Sequence, residues 1–146
     1  MGISLSIVSK SSALMTRLVF KFVEEGERAL SYVLIWESGD KEFSFESKNF
    51  VLCRQPENEL KELSRGILDF LDDKRKYIFV PAEGNFHLRL EKIRDEDIAL
   101  YLWLDIGDWL ESTESSWDGI GLRMCCTREA LANFANECQT LARRIP

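Results

Sequence analysis

The sequence predicts an α+β fold in which an antiparallel β-sheet carries two amphipathic α-helices packed on one face. Three observations lead there. Apolar residues recur at every second position in several short runs bounded by turn residues, and at helical spacing in two longer runs. The chain of 146 residues shows no linker, internal repeat or low-complexity tract, so residues 1–146 read as one domain.

Residues 1–16 form a possible N-terminal strand or extension. Leu18, Phe20 and Phe22 then alternate with Val19, Lys21 and Val23, and Ala29 to Trp36 is a run of β-formers. Glu24 to Glu27, containing Gly26, supplies the turn between these two strands. Ser38-Gly39-Asp40 is a second turn signal, after which Phe43 and Phe45 resume the alternation, and Phe50 to Cys53 extends the sheet. Pro56 opens the first helix, with Leu60, Leu63, Ile67, Phe70 and Leu71 along one side; proline is tolerated there because its missing N–H has no intrahelical partner in a first turn. The outward residues Glu59, Glu62, Arg65, Asp69 and Asp72 read as a solvated face.

A short strand, Tyr77 to Val80, ends at Pro81. Phe86, Leu88 and Leu90 alternate with His87, Arg89 and Glu91, the pattern of a half-buried strand. Ile98, Leu100, Leu102 and Leu104 share a face of the next strand, opposite Ala99, Tyr101, Trp103 and Asp105, and the short polar link Arg94 to Asp97 makes these two strands a hairpin. Ile120, Leu122 and Met124 mark the inner face of a further strand. Thr127 is placed to N-cap a closing helix whose apolar stripe is Leu131, Phe134, Ala135, Cys138, Leu141 and Ala142, with Arg143 and Arg144 complementing the dipole at its C-terminal end.

Composition narrows the functional classes. No apolar run approaches the roughly 18 residues of a membrane span, and the N-terminus places serines and an apolar patch before its first lysine, the reverse of a signal peptide. A cytoplasmic protein with no membrane partner is expected. The net charge of −6 argues against nucleic acid, which requires a concentrated basic surface. Cys53, Cys125, Cys126 and Cys138 lack any metal-ligand spacing and read as free thiols, with the adjacent Cys125 and Cys126 on opposite faces of a strand. His87, the one histidine, falls on an outward strand face, a poor place for a general base. Asp105 and Asp108 lack the oxygen ladder of a calcium loop, and Gly119-Ile120-Gly121 lacks the rest of a phosphate cradle. No enzyme activity, cofactor or metal is expected.

One segment departs from this even pattern. From Asp95 to Asp118, 24 residues hold eight carboxylates, no Lys or Arg, Tyr101 and three of the four tryptophans. The chain has 25 acids against 19 bases, so outside this segment the balance is slightly basic. Aromatics interleaved with carboxylates suit a surface that holds a basic macromolecule, because charge steers the encounter and rings anchor it. Trp103 reads equally well as core or interface. Asp105, Asp108, Trp109, Glu111, Glu114, Trp117 and Asp118 are the candidate partner-binding residues, with Asp95 and Asp97 adding to the field. The alternative reading is a carbohydrate-binding or hydrolysing α+β domain that uses the same tryptophans and carboxylates.

The order of these parts resembles a family. An early strand meander, the Leu60/Leu63/Ile67 helix, an aromatic strand entered through Glu83-Gly84-Asn85-Phe86, a hairpin ending near Trp117 and the Leu131/Phe134/Ala135 helix are similar to the WapI-type immunity proteins of bacterial contact-dependent and polymorphic toxin systems. The resemblance covers most of Phe20 to Ile145. It implies a small cytoplasmic protein that binds a cognate toxin domain, often a nuclease, and covers its active site or substrate groove; a monomer or weak dimer is expected. It brings no catalytic or contact residues with it, and residues 1–16 lie outside it.

Overall fold

Period-two alternation becomes eight antiparallel strands, and the two helical stripes become one packed helix pair. The computed structural model describes residues 3–8, 16–24, 30–38, 40–46, 56–81, 86–94, 96–105 and 119–144. The first sheet contains β1 (Ile3–Val8), β2 (Thr16–Glu24), β3 (Leu30–Ser38) and β4 (Lys41–Glu46), hydrogen-bonded in that order. Ser38 pairs with Lys41, so the turn read from Ser38-Gly39-Asp40 joins β3 to β4 by a two-residue connection. The N-terminal stretch contributes a full strand: β1 pairs with β2 from Ile3↔Phe22 to Val8↔Arg17. The proposed extension at Phe50 to Cys53 lies outside the described residues.

Helix α1 (Pro56–Asp72) interrupts the run of strands. A second four-stranded sheet follows, in the order β5 (Lys76–Phe79), β6 (Phe86–Lys92), β7 (Ile98–Asp105) and β8 (Gly119–Cys126), and α2 (Arg128–Arg144) closes the described chain. The α+β class with antiparallel strands and packed helices therefore stands, with the strands divided between two sheets. The division has a simple cause. Consecutive strands pair locally, and a helix inserted between β4 and β5 ends one meander before the next begins.

The core lies between the second sheet and the helix pair. Leu88 and Leu90 of β6, Ile98, Leu100 and Leu102 of β7, and Met124 and Cys126 of β8 face Leu60, Leu63, Ile67, Phe70 and Leu71 of α1 and Leu131, Phe134, Ala135, Cys138, Leu141 and Ala142 of α2. Burying one such large side chain stabilises the fold by about 1.5–3 kcal/mol. Strand β1 of the first sheet also lies against α2. Ser64 is the one buried polar side chain of the described residues, and its Oγ meets no hydrogen-bond partner among them. Such a hydroxyl costs about 1–3 kcal/mol, which the surrounding apolar burial offsets.

The helix ends are satisfied by different means. The Ala130 N–H donates to Thr127 Oγ1 at 3.1 Å and the Leu131 N–H to the Thr127 carbonyl at 3.2 Å, so Thr127 is the N-cap that its sequence position implies. Helix α1 has no basic residue in its last turn. Its unpaired Leu71 carbonyl instead accepts from Arg128 Nη2 at 2.6 Å and from Lys92 Nζ at 3.4 Å, two cations brought from α2 and β6 to the negative end of the helix dipole. Lys92 also stands 5.1 Å over the Phe70 ring. At mid-helix the Tyr77 ring packs directly on Gly66, with its hydroxyl donating to the Glu62 carbonyl at 3.5 Å.

Candidate functional site

The face of the second sheet that turns away from the helices is set by strand alternation and register. The turn between β6 and β7 is closed by Ile93 N–H donating to the Asp97 carbonyl at 2.9 Å and Asp97 N–H donating to the Arg94 carbonyl at 3.3 Å. This fixes Arg89 opposite Tyr101 and His87 opposite Trp103. On the other side β8 places Arg123 opposite Tyr101 and Gly121 opposite Trp103, while β5 places Ile78 opposite Arg89. One row across the sheet therefore reads Ile78, Arg89, Tyr101, Arg123, and the next contains His87, Trp103 and Gly121.

Tyr101 stands between two guanidinium groups, Arg89 at 4.2 Å from its ring centre and Arg123 at 5.4 Å. Both arginines are exposed, and Tyr101 is half-buried. The attraction is electrostatic, between a cation and the negative face of the ring, and it holds each guanidinium while leaving the N–H edges available. Trp103 lies against the backbone of Gly121: Cε3 of the indole is 3.3 Å from where a Cβ on that residue would stand. A larger residue at 121 would lift the ring. With a fractional exposure of 42%, Trp103 is an outward platform and not part of the core, although β7 is an inner strand of its sheet. His87 is exposed, as its alternation implies.

Of the acidic segment, residues 96–105 are described. Asp105 is the last residue of β7 and pairs with Gly119, the first of β8, so whatever residues 106–118 present begins and ends beside the Trp103 row. Asp108, Trp109, Glu111, Glu114, Trp117 and Asp118 lie outside the described residues, as does Asp95. Asp105 is placed by its backbone alone. The structure thus brings together residues that sequence reasoning had left apart. Alternation already put Arg89 on the outward side of β6, but the row Arg89–Tyr101–Arg123 needs two strand registers that spacing does not supply.

The described thiols are buried or half-buried. Cys125, Cys126 and Cys138 are free; Cys126 and Cys138 are buried and Cys125 is half-buried, the opposite-face arrangement expected of neighbours in a strand, while Cys53 lies outside the described residues. No group of three or more His, Cys, Asp or Glu side chains among the described residues is placed to hold a metal ion. Burial pushes the Cys126 thiol up to about 12, with the neighbouring Cys125 adding to the shift, and burial followed by Glu137 raises Cys138 further in the same direction. Such thiols stay protonated and are weak nucleophiles.

This has a measurable consequence for stability. Below an unfolded value near 9.0 the Cys126 thiol is protonated in both states and its contribution is fully present. As pH rises from there toward about 12, the unfolded chain ionises first and that contribution is lost. Stability measured by urea unfolding should therefore fall over this window, and Cys126→Val should make the fall shallower. An equal slope in the variant would show that the thiol does not contribute to it.

No helix among the described residues is long and apolar enough to cross a membrane. Compared with known proteins, the chain matches no family model, no curated protein and no solved structure.

Proposed function

We propose that this chain is a binding protein and not an enzyme, and that it acts in the cytoplasm as an immunity protein holding a cognate toxin domain, as the resemblance to WapI-type immunity proteins implies. The observation that supports a protein-binding role is the outward face of the second sheet. Trp, Tyr and Arg are the residue types most enriched among interface hot spots, and Tyr101, Trp103, Arg89 and Arg123 share one outward face beside the Asp105↔Gly119 pair. Asp105 and Gly119, which flank residues 106–118 in the sequence, pair next to this face. The carboxylates of that segment would steer a basic toxin groove into place, and the aromatics would set how long it stays.

In this reading Asp105, Asp108, Glu111, Glu114 and Asp118 supply the field, and Trp109 and Trp117 supply further anchors. The protein works as a monomer or weak dimer, needs no cofactor or metal and touches neither nucleic acid nor membrane. The test is the triple substitution Asp108→Lys, Glu111→Lys and Glu114→Lys, assayed against the toxin domain encoded immediately upstream. Association should slow by about tenfold or more at low salt and lose most of its salt dependence. Unchanged affinity and salt dependence would remove the acidic segment from the interface.

One observation favours a second reading, a carbohydrate-binding domain. An indole set against a glycine on a sheet face and 42% exposed, as Trp103 is beside Gly121, is a surface on which a sugar ring can stack. Tryptophan fluorescence titrated with oligosaccharides and, separately, with the toxin domain separates the two.

A further inference from the structure

The acidic segment concentrates one sign of charge in the sequence, whereas the outward face of the second sheet carries Arg89 and Arg123. Among the described side chains on that face, Lys76 and Glu91 offset one another at 3.9 Å. Arg89 and Arg123 have no such partner: among the described residues neither meets a carboxylate, and both are exposed. Tyr101 draws them in from between, at 4.2 and 5.4 Å from its ring centre, which lowers the side-chain freedom lost when an anion binds. Their strands stand two apart, which sets the guanidinium-bearing positions roughly 9.5 Å from one another.

The apolar surroundings decide which anion fits. Ile78, 61% exposed, stands in the row of Arg89 and Tyr101, and Trp103, 42% exposed, stands in the next row. Apolar side chains beside a pair of arginines match a protein surface, where carboxylates alternate with hydrophobic contacts, better than they match a sugar–phosphate backbone. A net charge of −6 also opposes a continuous polyanion far more than a segment bearing a few carboxylates.

We propose that the outward face of the second sheet docks an acidic segment of a partner protein, whose carboxylates are taken by Arg89 and Arg123 and whose neighbouring apolar side chains lie on Trp103 and Ile78. The inference rests on the reading of this chain as a protein-binding module and adds the chemistry of the second contact.

The full chain, labelled with nitrogen-15, tests this in a titration at low salt with a short peptide of alternating glutamate and leucine, beside a single-stranded oligouridylate of the same length. In the wild-type protein the peptide should move the Arg89 and Arg123 Nε–H and the Trp103 Nε1–H resonances. Arg89→Gln with Arg123→Gln should weaken peptide binding by about tenfold or more, and Arg89→Lys with Arg123→Lys by an intermediate factor, because lysine keeps the charge without the two-pronged geometry. Equal binding by wild type and both variants, shifts confined to another face, or tighter binding of the oligouridylate would each overturn the proposal. If the glutamine variant fails to fold, the lysine variant and the wild-type shift map still decide it. Peptide docking that persists when the toxin domain fails to bind would sink the toxin reading alone, and the converse would sink the sheet-face reading alone.

Discussion

Phe134→Ala is expected to lower the stability of this protein by about 3–5 kcal/mol, the range for truncating a fully buried phenylalanine. Phe134 is 1% exposed in α2 and belongs to the cluster formed by both helices and the second sheet. Removing its ring forfeits the transfer free energy and leaves a cavity that a close-packed cluster, which includes the fully buried Ile67 and Leu100, fills only in part. A domain of this size has a total stability of about 5–15 kcal/mol, so the loss is a large share of it. The urea midpoint should move sharply downward with little change in slope, and Phe134→Leu should lose much less. A shift under about 1 kcal/mol would mean that the helix pair does not sit on the sheet as described.

Gly66→Ala should also destabilise, against the direction that helix propensity predicts. In an exposed helix interior, alanine is favoured over glycine by about 1 kcal/mol. At position 66 the new Cβ would fall on the Tyr77 ring. That ring is half-buried, tied to α1 by its hydroxyl on the Glu62 carbonyl, and packed against the core cluster. Moving it should cost about 1–3 kcal/mol, the usual range for overpacking, and outweigh the gain in propensity. The diagnostic is a reversal of sign. In a Tyr77→Ala background the obstruction is gone and Gly66→Ala should become stabilising, so a double-mutant cycle by urea unfolding should return a coupling energy of about 0.5–3 kcal/mol. Stabilisation by Gly66→Ala in the wild-type background would refute the contact.

Most of the second half of the fold was legible residue by residue. The six apolar positions read from the spacing of α2 are its six buried residues, and Thr127 caps it where the sequence places the cap. Ile98, Leu100 and Leu102 are buried and His87 and Arg89 exposed, as alternation requires, whereas Trp103, open between core and interface in the sequence, is exposed. Ala99 is the exception: it shares the outward side with Tyr101 and Trp103 yet is fully buried. The candidate site was legible as composition more than as geometry. Its carboxylates and tryptophans stand out in the sequence because they are adjacent, whereas Arg89, Tyr101 and Arg123 lie far apart in the chain and become a unit only when β6, β7 and β8 are in register.

By itself the sequence determined the two helices, the Thr127 cap, the inward positions of β6, β7 and the helices, and the confinement of the net negative charge to one segment. All of these follow from residue type and from spacings within a few positions, where the periods of the strand and the helix act directly. Only the tertiary structure decided that the strands form two sheets, that the inner strand β7 presents Trp103 outward, that Arg128 closes the end of a helix 57 residues earlier in the chain, and that two arginines stand on either side of Tyr101. The reason is physical. Register and helix docking are settled by contacts between distant residues, and local periodicity is the same for every register that preserves the inward face.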